Sequence, residues 1–201
     1  VLIRPKKGNS IEQRIKNMID LPLFEPLKNR HPEIFKKLIP IAGDVAELKM
    51  GISEKDIERM KNVSLIFHSA ASVRFDDSLK YAVFMNTRGT REIMEFARGL
   101  KNIKAIMHVS TTYSHPELKT VGEVIHEPYV DWRKTIEISE KCDDDSMRVL
   151  TPLYTNFMPN TYTFTKALAE QIVDDTKDEL PLVLFRPSIV ISSMKVIFYC
   201  Y

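Results

Sequence analysis

Short apolar runs rich in β-branched residues alternate along the chain with longer segments in which apolar residues recur at helical spacing. The first kind of run predicts buried strands, and the charged faces of the second kind predict amphipathic helices. Strands that are apolar throughout and separated by helices favour a parallel sheet covered on both faces. The pattern therefore predicts an α/β domain with a doubly wound parallel sheet. The five predicted strands are 1–3, 38–42, 63–68, 103–109 and 182–191.

Capping signals mark the first predicted helices, 10–19 and 53–60. Ser10 and Ser53 occupy the N-cap positions, where a hydroxyl satisfies a free backbone N–H. Ser53 is followed three residues later by Asp56, which makes a loose form of the capping box.

Two longer helices are predicted at 79–100 and 160–175. Gly89 is a candidate break in the first, and the second opens with a proline and an asparagine in N-terminal positions. The stretch 113–159 between them is less regular and contains several prolines, so we expect a long insertion or lid there. On one face of the last helix lie three apolar residues expected to pack against the sheet: Phe164, Leu168 and Ile172.

Composition and charge narrow the class of protein. Of the 201 residues, 44% are hydrophobic and 28% are charged, which is typical of a globular domain. A net charge of +2 provides no bulk attraction to nucleic acid or to an acidic membrane surface. Two cysteines and five scattered histidines give neither a disulfide framework nor the spacing of a metal site, so no metal is expected. No apolar run approaches the roughly 18 residues that a membrane span needs.

Basic residues follow the first predicted strand, where Arg4, Lys6 and Lys7 stand close together. In a dinucleotide-binding sheet the adenosine ribose lies at this edge, and an acidic residue there selects NAD. Arginine and lysine pair instead with a 2′-phosphate, so Arg4 and Lys6 are candidates for binding NADPH. A solvated turn is the alternative. A nucleic-acid patch is disfavoured because the charge is local and no aromatic residues interleave it.

Two further strand ends carry candidate cofactor-binding residues. Asp44 and Val45 follow the second predicted strand, and Ser69, Ala70 and Ala71 follow the third. The Asp44 carboxylate can accept a hydrogen bond from an adenine amino group while Val45 packs on the ring. Small residues let a cofactor approach the backbone closely. The alternatives are a helix cap for Asp44 and tight core packing for the small residues.

The last two strand ends add hydroxyls and a proline. Ser110, Thr111 and Thr112 follow the fourth predicted strand, where hydroxyls act on a substrate or simply cap the next turn. Pro187 and Val190 lie in the last residues of the fifth. A proline there fixes a turn whose backbone groups could hold a nicotinamide carboxamide. The alternative is a simple break from strand to loop.

The strongest chemical signal is the pair Tyr162 and Lys166. Their four-residue spacing on a helix places both side chains on one face, one turn apart. A lysine held beside a phenol favours the phenolate, because an opposite charge stabilises the ionised form. That brings a phenol closer to useful acid–base work near neutral pH. We therefore predict that Tyr162 and Lys166 are catalytic.

Together these segments resemble the extended short-chain dehydrogenase/reductases, which are Rossmann-like, and more narrowly the fatty acyl-CoA reductases. The resemblance runs from Val1 to about Lys195. It implies a partial NAD(P)-binding reductase domain over residues 1–201. The segments that carry it are 1–8, 41–45, 67–75, 86–90, 108–113, 159–170 and 186–192.

The resemblance implies reduction of a long-chain fatty acyl-CoA to a fatty alcohol at the expense of two NADPH. Hydride would attack the thioester carbonyl while Tyr162 protonates the developing oxyanion; coenzyme A would leave, and a second hydride would reduce the aldehyde. Lys166 would bond the nicotinamide ribose and keep Tyr162 acidic. Asn86 is assigned to the cofactor-binding residues and would support this lysine, often through water. For the hydroxyl partner, the register of the wider superfamily favours Thr112. The pattern of the fatty acyl-CoA reductases favours Thr111, and both stay candidates.

The sequence departs from the family pattern at its two ends. The glycine-rich pyrophosphate turn would precede Val1, and the substrate region would follow Lys195, so we expect a sequence truncated at both ends. Without that turn, the backbone donors that hold a pyrophosphate are missing, and the fragment alone could be inactive. The resemblance also implies the cytosolic face of the endoplasmic reticulum or peroxisome, with membrane association only through regions outside this sequence.

Two alternative functions share the same residues. One is a thioester reductase that acts on carrier-bound acyl chains, and the other is a non-catalytic binding protein on the same fold. Loss of the glycine-rich turn would suit the binding protein, whereas intact Tyr162 and Lys166 weigh against it.

Overall fold

The strands form two parallel sheets in the computed structural model, which describes residues 1–127 and 130–190. One sheet pairs the first two strands, and in the other the fourth strand lies between the third and the fifth. All pairs are parallel, so the predicted α/β class and parallel sheet are confirmed. The strands are β1 (Leu2–Ile3), β2 (Ile41–Ala42), β3 (Leu65–His68), β4 (Ala105–Val109) and β5 (Leu182–Phe185).

Several strands are shorter than the apolar runs predicted. β5 ends at Phe185, although the run extends to residue 191, which lies outside the described residues. Pro187 has no N–H to donate to a strand partner, which explains why the ladder stops just before it. An apolar run reports burial, whereas a strand also needs backbone partners along its length.

Helices connect the strands, and both predicted serine caps are confirmed. The Ser10 hydroxyl accepts from the Gln13 N–H at 3.1 Å, and the Ser53 hydroxyl accepts from the Asp56 N–H at 3.2 Å. The α-helices are α1 (Ile11–Ile19), α2 (Glu25–Arg30), α3 (Glu54–Met60), α4 (Leu79–Ala82), α5 (Gly89–Arg98), α6 (Trp132–Lys141), α7 (Asp144–Thr155) and α8 (Thr161–Asp175). Short 3₁₀ turns lie at Pro22–Phe24, Pro32–Lys37, Leu48–Gly51 and Thr112–Ser114.

Gly89 does not break the helix in which it lies. A π-helical segment, Val83–Arg88, joins α4 to α5, so the chain is helical from Leu79 to Arg98. A Cβ at Gly89 would lie 3.0 Å from the carbonyl oxygen of Val45. The missing side chain therefore allows this helix to approach the turn after β2, and that close approach is the physical reason for a glycine here.

The expectation of an irregular insertion over 113–159 is wrong for most of its second half. The helices α6 and α7 occupy this stretch, capped by Asp131 and Asp143, whose carboxylates accept from N–H groups of the first turn at 2.8 and 2.7 Å. Nη1 of Arg88, in the π-helical segment, donates to Oε1 of Glu140, in α6, at 3.1 Å and so joins the two elements. Prolines obscured the helical pattern, although α7 accommodates Pro152.

The apolar face of α8 packs mainly on helices. Phe164 and Leu168 join a buried cluster with Leu79, Val83 and Ile136, so the prediction that they contact the sheet is wrong. Ile172 belongs to a second cluster that includes Ile106 of β4, so for this residue the prediction holds. The reason for the difference is that α6 and α7, which were not predicted, cover the first half of α8.

Candidate active site

One cavity of 620 Å³ opens beside the carboxyl ends of β1 and β2 and the segment that follows β3. Parallel strands end at the same edge of a sheet, so residues distant in sequence meet there. The structure brings together five of the residues predicted to bind the cofactor. These lining residues are Arg4, Asp44, Val45, Ala70 and Ala71.

Arg4 contacts two other residues that line this cavity. Its Nη1 atom donates to the Tyr81 hydroxyl at 3.3 Å, and its Nε atom lies 4.0 Å from the Asp44 carboxylate. Asp44 also accepts from the Ala46 N–H at 3.0 Å, so its carboxylate caps the turn as well as facing Arg4. The Arg4 side chain is 55% exposed, and its guanidinium is therefore accessible to an anion.

The five other predicted cofactor-binding residues, of which Asn86 is one, do not line this cavity. Lys6 is exposed in a tight turn, and Ser69 is exposed just after β3. The Pro187 carbonyl accepts the Thr112 N–H at 3.1 Å, which joins the segment after β5 to the segment after β4. Val190 is 85% exposed.

Asn86 lies buried in the π-helical segment and clamps the chain after β3 to α8. Its Oδ1 atom accepts from the Ser72 N–H at 2.8 Å, and its Nδ2 atom donates to the Ser72 carbonyl at 3.1 Å and to the Thr165 hydroxyl at 2.9 Å. Because Ser72 lines the cavity, Asn86 shapes that wall. π-Helical turns re-aim side chains and are frequent at functional sites.

The helix α8 carries the predicted catalytic pair. Asn160 caps it, accepting from the Thr163 N–H at 2.9 Å, as the sequence suggested. Tyr162 is half-buried, and its ring centroid lies 5.9 Å from that of Phe75. Lys166 is buried one turn further along the same helix. The helix and its cap therefore form as predicted around both residues.

Lys166 is held by groups of β4. Its ammonium donates to the Val109 carbonyl at 2.6 Å and lies 3.5 Å from Nε2 of His108. Burial lowers the pKa of Lys166 to about 8, and the negative charge of Glu170 opposes this shift. Burial and the charge of Lys166 both lower the pKa of His68, to about 3, and that of His108. The two histidines are therefore neutral near pH 7.

The two candidate threonines occupy different environments at the end of β4. Thr111 is buried, and its hydroxyl accepts from the Tyr113 N–H at 3.2 Å, which caps the 3₁₀ turn Thr112–Ser114. Thr112 lines a second cavity of 470 Å³ together with Arg186. Thr111 therefore has a structural task, whereas Thr112 faces open space.

Several buried polar residues around Tyr162 and Lys166 were not predicted from the sequence to have a role. Glu170 lies one further turn along the face of α8 that holds Tyr162 and Lys166, a spacing that was readable from the sequence. The pairing of His68 with His108 depends on the register of β3 against β4, so it required the structure. Glu170 and Arg186 contact each other across α8 and the end of β5.

A family model described as male sterility protein, an NAD-binding domain, matches residues 1–196. The chain belongs to the male sterility protein family. The chain is 38% identical over 196 residues to a curated protein, fatty acyl-CoA reductase wat of Drosophila melanogaster. It is 37% identical over 196 residues to human fatty acyl-CoA reductase 1. Each match covers 97% of this chain and 38% of the relative, so the chain spans less than half the length of these proteins. The predicted likeness to fatty acyl-CoA reductases is confirmed.

Solved structures with a similar fold are also reductase domains. The terminal R domain from the myxalamid PKS-NRPS pathway matches with a TM-score of 0.62 and 22% identity, over 93% of this chain and 41% of that one. The R domain of a nonribosomal peptide synthetase from Mycobacterium tuberculosis matches with a TM-score of 0.59 and 21% identity, over 94% and 40%. These likenesses confirm the Rossmann-like fold of the male sterility family domain.

Membership in this NAD-binding family gives the domain a nicotinamide cofactor. The residues around the 620 Å³ cavity fit one, because an accessible guanidinium, a carboxylate and small side chains line the same space. Within residues 1–127 and 130–190, no group of acidic, histidine or cysteine side chains is arranged to hold a metal ion. Over the same residues, no helix has the length and apolar character to cross a membrane.

Proposed function

We propose that the male sterility family domain belongs to an enzyme that reduces long-chain fatty acyl-CoA to fatty alcohol with NADPH, and that residues 1–201 form part of its NAD(P)-binding reductase domain. One observation carries the proposal: Tyr162 and the buried Lys166 share a face of α8 beside the hydroxyl-bearing end of β4. The identity to curated fatty acyl-CoA reductases supports the substrate class. We also propose that this enzyme acts at the cytosolic face of the endoplasmic reticulum or peroxisome.

The residues on α8 and β4 supply the acid–base part of the reaction. Reduced nicotinamide supplies the hydride for both reduction steps. Tyr162 donates a proton to the oxyanion that develops on the thioester carbonyl. When the C–S bond breaks, the hydroxyl proton passes to the departing sulfur, so the products of this step are the aldehyde and coenzyme A as its thiol. Tyr162 regains its proton from solvent and donates again when the aldehyde becomes the alcohol. The Lys166 ammonium stabilises the phenolate between these steps.

A hydroxyl at the end of β4 would orient the carbonyl. We propose Thr112 for this role, because Thr112 lines a cavity while the Thr111 hydroxyl accepts from the Tyr113 N–H. The preference for NADPH rests on Arg4, whose accessible guanidinium lies beside the 620 Å³ cavity and suits a 2′-phosphate.

The test measures NADPH oxidation by the complete gene product with palmitoyl-CoA and identifies the products by gas chromatography. We expect hexadecanol from the wild type, and Tyr162→Phe should lower kcat by at least about 100-fold, because a positioned general acid contributes about 10²–10⁴-fold. Tyr154→Phe is the matched control, since Tyr154 is also a half-buried tyrosine and packs against the helical cluster. That variant should retain wild-type activity.

The other outcomes separate the alternatives. Turnover of a carrier-bound acyl thioester but not of palmitoyl-CoA would replace the proposed substrate with that of a carrier-dependent thioester reductase. NADPH binding without turnover of either substrate would indicate a binding protein on this fold. Equal rates for the wild type and Tyr162→Phe would remove Tyr162 from the mechanism.

A further inference from the structure

We propose that Glu170 is a positioning residue that fixes the segments after β4 and β5 against the catalytic face of α8. This inference rests on the proposed reductase function. Glu170 is 1% exposed and lies one helical turn beyond Lys166, on the same face as Tyr162. A carboxylate in such a place needs several hydrogen-bond donors to compensate for lost hydration.

Those donors come from two separate stretches of the chain, residues 110–115 and Arg186. Oε1 of Glu170 accepts from the hydroxyls of Ser110 and Ser114, the latter at 3.0 Å, and from Nε of Arg186 at 2.9 Å. Oε2 accepts from Nη2 of Arg186 at 2.7 Å and lies 3.4 Å from Nε2 of His115. One carboxylate therefore joins α8 to the end of β4, to the 3₁₀ turn after it and to the end of β5.

Arg186 extends this connection to the loop that lines the second cavity. Its side chain is 11% exposed, and it donates to the Gly122 carbonyl at 3.0 Å and to the Val124 carbonyl at 2.9 Å. Gly122, Val124 and Arg186 line the same 470 Å³ cavity as Thr112. The Glu170–Arg186 pair thus sets the distance between α8 and this wall.

The candidate hydroxyls of Thr111 and Thr112 lie between two serines that are hydrogen-bonded to Glu170. Ser110 and Ser114 flank the segment that contains Thr111 and Thr112, and both serines donate to the same carboxylate oxygen. A shift of Glu170 would therefore move the threonines relative to Tyr162. Misplacement of reacting groups by about 1 Å can cost about 100-fold in rate.

Charge gives Glu170 a second effect on the site. Burial alone would raise the pKa of Glu170, but hydrogen bonds from Arg186, His115 and Ser110 outweigh it and bring the pKa to about 2. The carboxylate is therefore charged at working pH, and it raises the pKa of Lys166 against the effect of burial. The other titratable groups around Lys166 are His68 and His108, which are neutral near pH 7, and Tyr162.

Three variants of the complete gene product test the proposal. Glu170→Gln keeps the size of the side chain and removes its charge, Glu170→Asp keeps the charge and shortens the reach, and Glu179→Gln is an exposed control. We would measure kcat and KM for palmitoyl-CoA and NADPH from pH 6 to 10, with melting temperatures for every variant.

We expect Glu170→Gln to lower kcat by about 10- to 100-fold with the KM for NADPH changed less than about threefold, because positioning rather than cofactor binding is lost. The alkaline limb of the kcat profile should move to lower pH, since Lys166 loses the charge that raises its pKa. Glu170→Asp should also lower kcat, by about tenfold, but the alkaline limb of its kcat profile should stay at the wild-type pH. Glu179→Gln should match the wild type.

Other results would overturn the proposal. An unchanged kcat and pH profile with a lower melting temperature would make Glu170 a purely structural ion pair. If Glu170→Gln does not fold, Glu170→Asp decides, and a wild-type kcat in that variant overturns the inference. A wild type without reductase activity would remove the proposed function and this inference with it, whereas an active wild type with active variants would remove the inference alone.

Discussion

Nζ of Lys166 lies 3.5 Å from Nε2 of His108, and both side chains are buried. An ammonium has only donors to offer, so Nε2 of His108 acts as the acceptor and the ring proton sits on Nδ1. That Nδ1 atom is buried without a hydrogen-bond partner in the part of the chain that the structure describes. The neutral imidazole therefore faces a charged lysine that is itself buried, and burial of this charge costs stability.

The first prediction is that Lys166→Met stabilises the fold while it abolishes reductase activity. Burial lowers the pKa of Lys166 from 10.5 to about 8, which corresponds to a cost of about 3 kcal/mol near pH 7. Methionine removes this cost but leaves the Val109 carbonyl without its donor, a loss of about 1 kcal/mol. Urea unfolding at pH 7 should therefore show a free energy of unfolding about 1–2 kcal/mol higher than that of the wild type.

The pH dependence supplies the control for this prediction. Between pH 8 and 10.5 the unfolded chain binds a proton that the folded chain has lost, so wild-type stability rises with pH across this window. The advantage of Lys166→Met should shrink as pH rises through it. A constant difference from pH 7 to pH 10.5 would contradict the assignment of the cost to the buried charge.

The second prediction concerns cofactor selectivity at Arg4. Because its guanidinium is accessible beside the 620 Å³ cavity, Arg4→Ser should lower kcat/KM for NADPH by about 10- to 100-fold and leave kcat/KM for NADH within about threefold. Lys6→Ser is the matched control, since Lys6 does not line the cavity. Steady-state kinetics with both cofactors would measure the ratio. Equal losses in the two variants would show that only the net charge of this turn matters.

The third prediction concerns the clamp made by Asn86. Asn86→Ala should lower the free energy of unfolding by about 2–3 kcal/mol, because the N–H and carbonyl of the half-buried Ser72 and the buried Thr165 hydroxyl all lose a partner. Asn29→Ala on the exposed surface of α2 should change stability by less than about 0.5 kcal/mol. Chemical denaturation measures both. A loss below about 1 kcal/mol for Asn86→Ala would mean that Ser72 finds other partners.

The fourth prediction concerns the close packing at Gly43. A Cβ there would lie 2.6 Å from Cδ1 of Leu2 and 2.6 Å from the Met50 carbonyl oxygen, and the backbone oxygen cannot easily move. Gly43→Ala should therefore destabilise the fold by about 1–3 kcal/mol and weaken NADPH binding at the adjacent cavity. A Cβ at Gly122 would lie 3.8 Å from Val124, an ordinary contact distance, so Gly122→Ala should change stability by less than about 1 kcal/mol. Thermal melts measure the stability of both variants, and cofactor titrations measure their NADPH binding. Wild-type stability and binding in Gly43→Ala would contradict the prediction.

Local patterns in the sequence determined much of this protein. The alternation of apolar runs and amphipathic segments predicted the α/β class and the parallel sheet, because burial on both faces leaves a continuous apolar signature in each strand. The caps Ser10, Ser53 and Asn160 were readable because a cap bonds to a backbone N–H only a few residues away. The spacing of Tyr162 and Lys166 fixed their common face for the same local reason.

Contacts between distant residues were decided only by the tertiary structure. The placement of Arg4 at the cavity and of Lys6 outside it depends on how the turn folds back, which two nearby basic residues cannot reveal. The sheet register places the ring of His68 5.2 Å from that of His108, 40 positions further along the chain. The contact of Arg186 with Glu170 likewise joins two different elements, the end of β5 and α8. Their energies depend on burial and on a specific geometry, and neither exists until the sheet and the helices have packed.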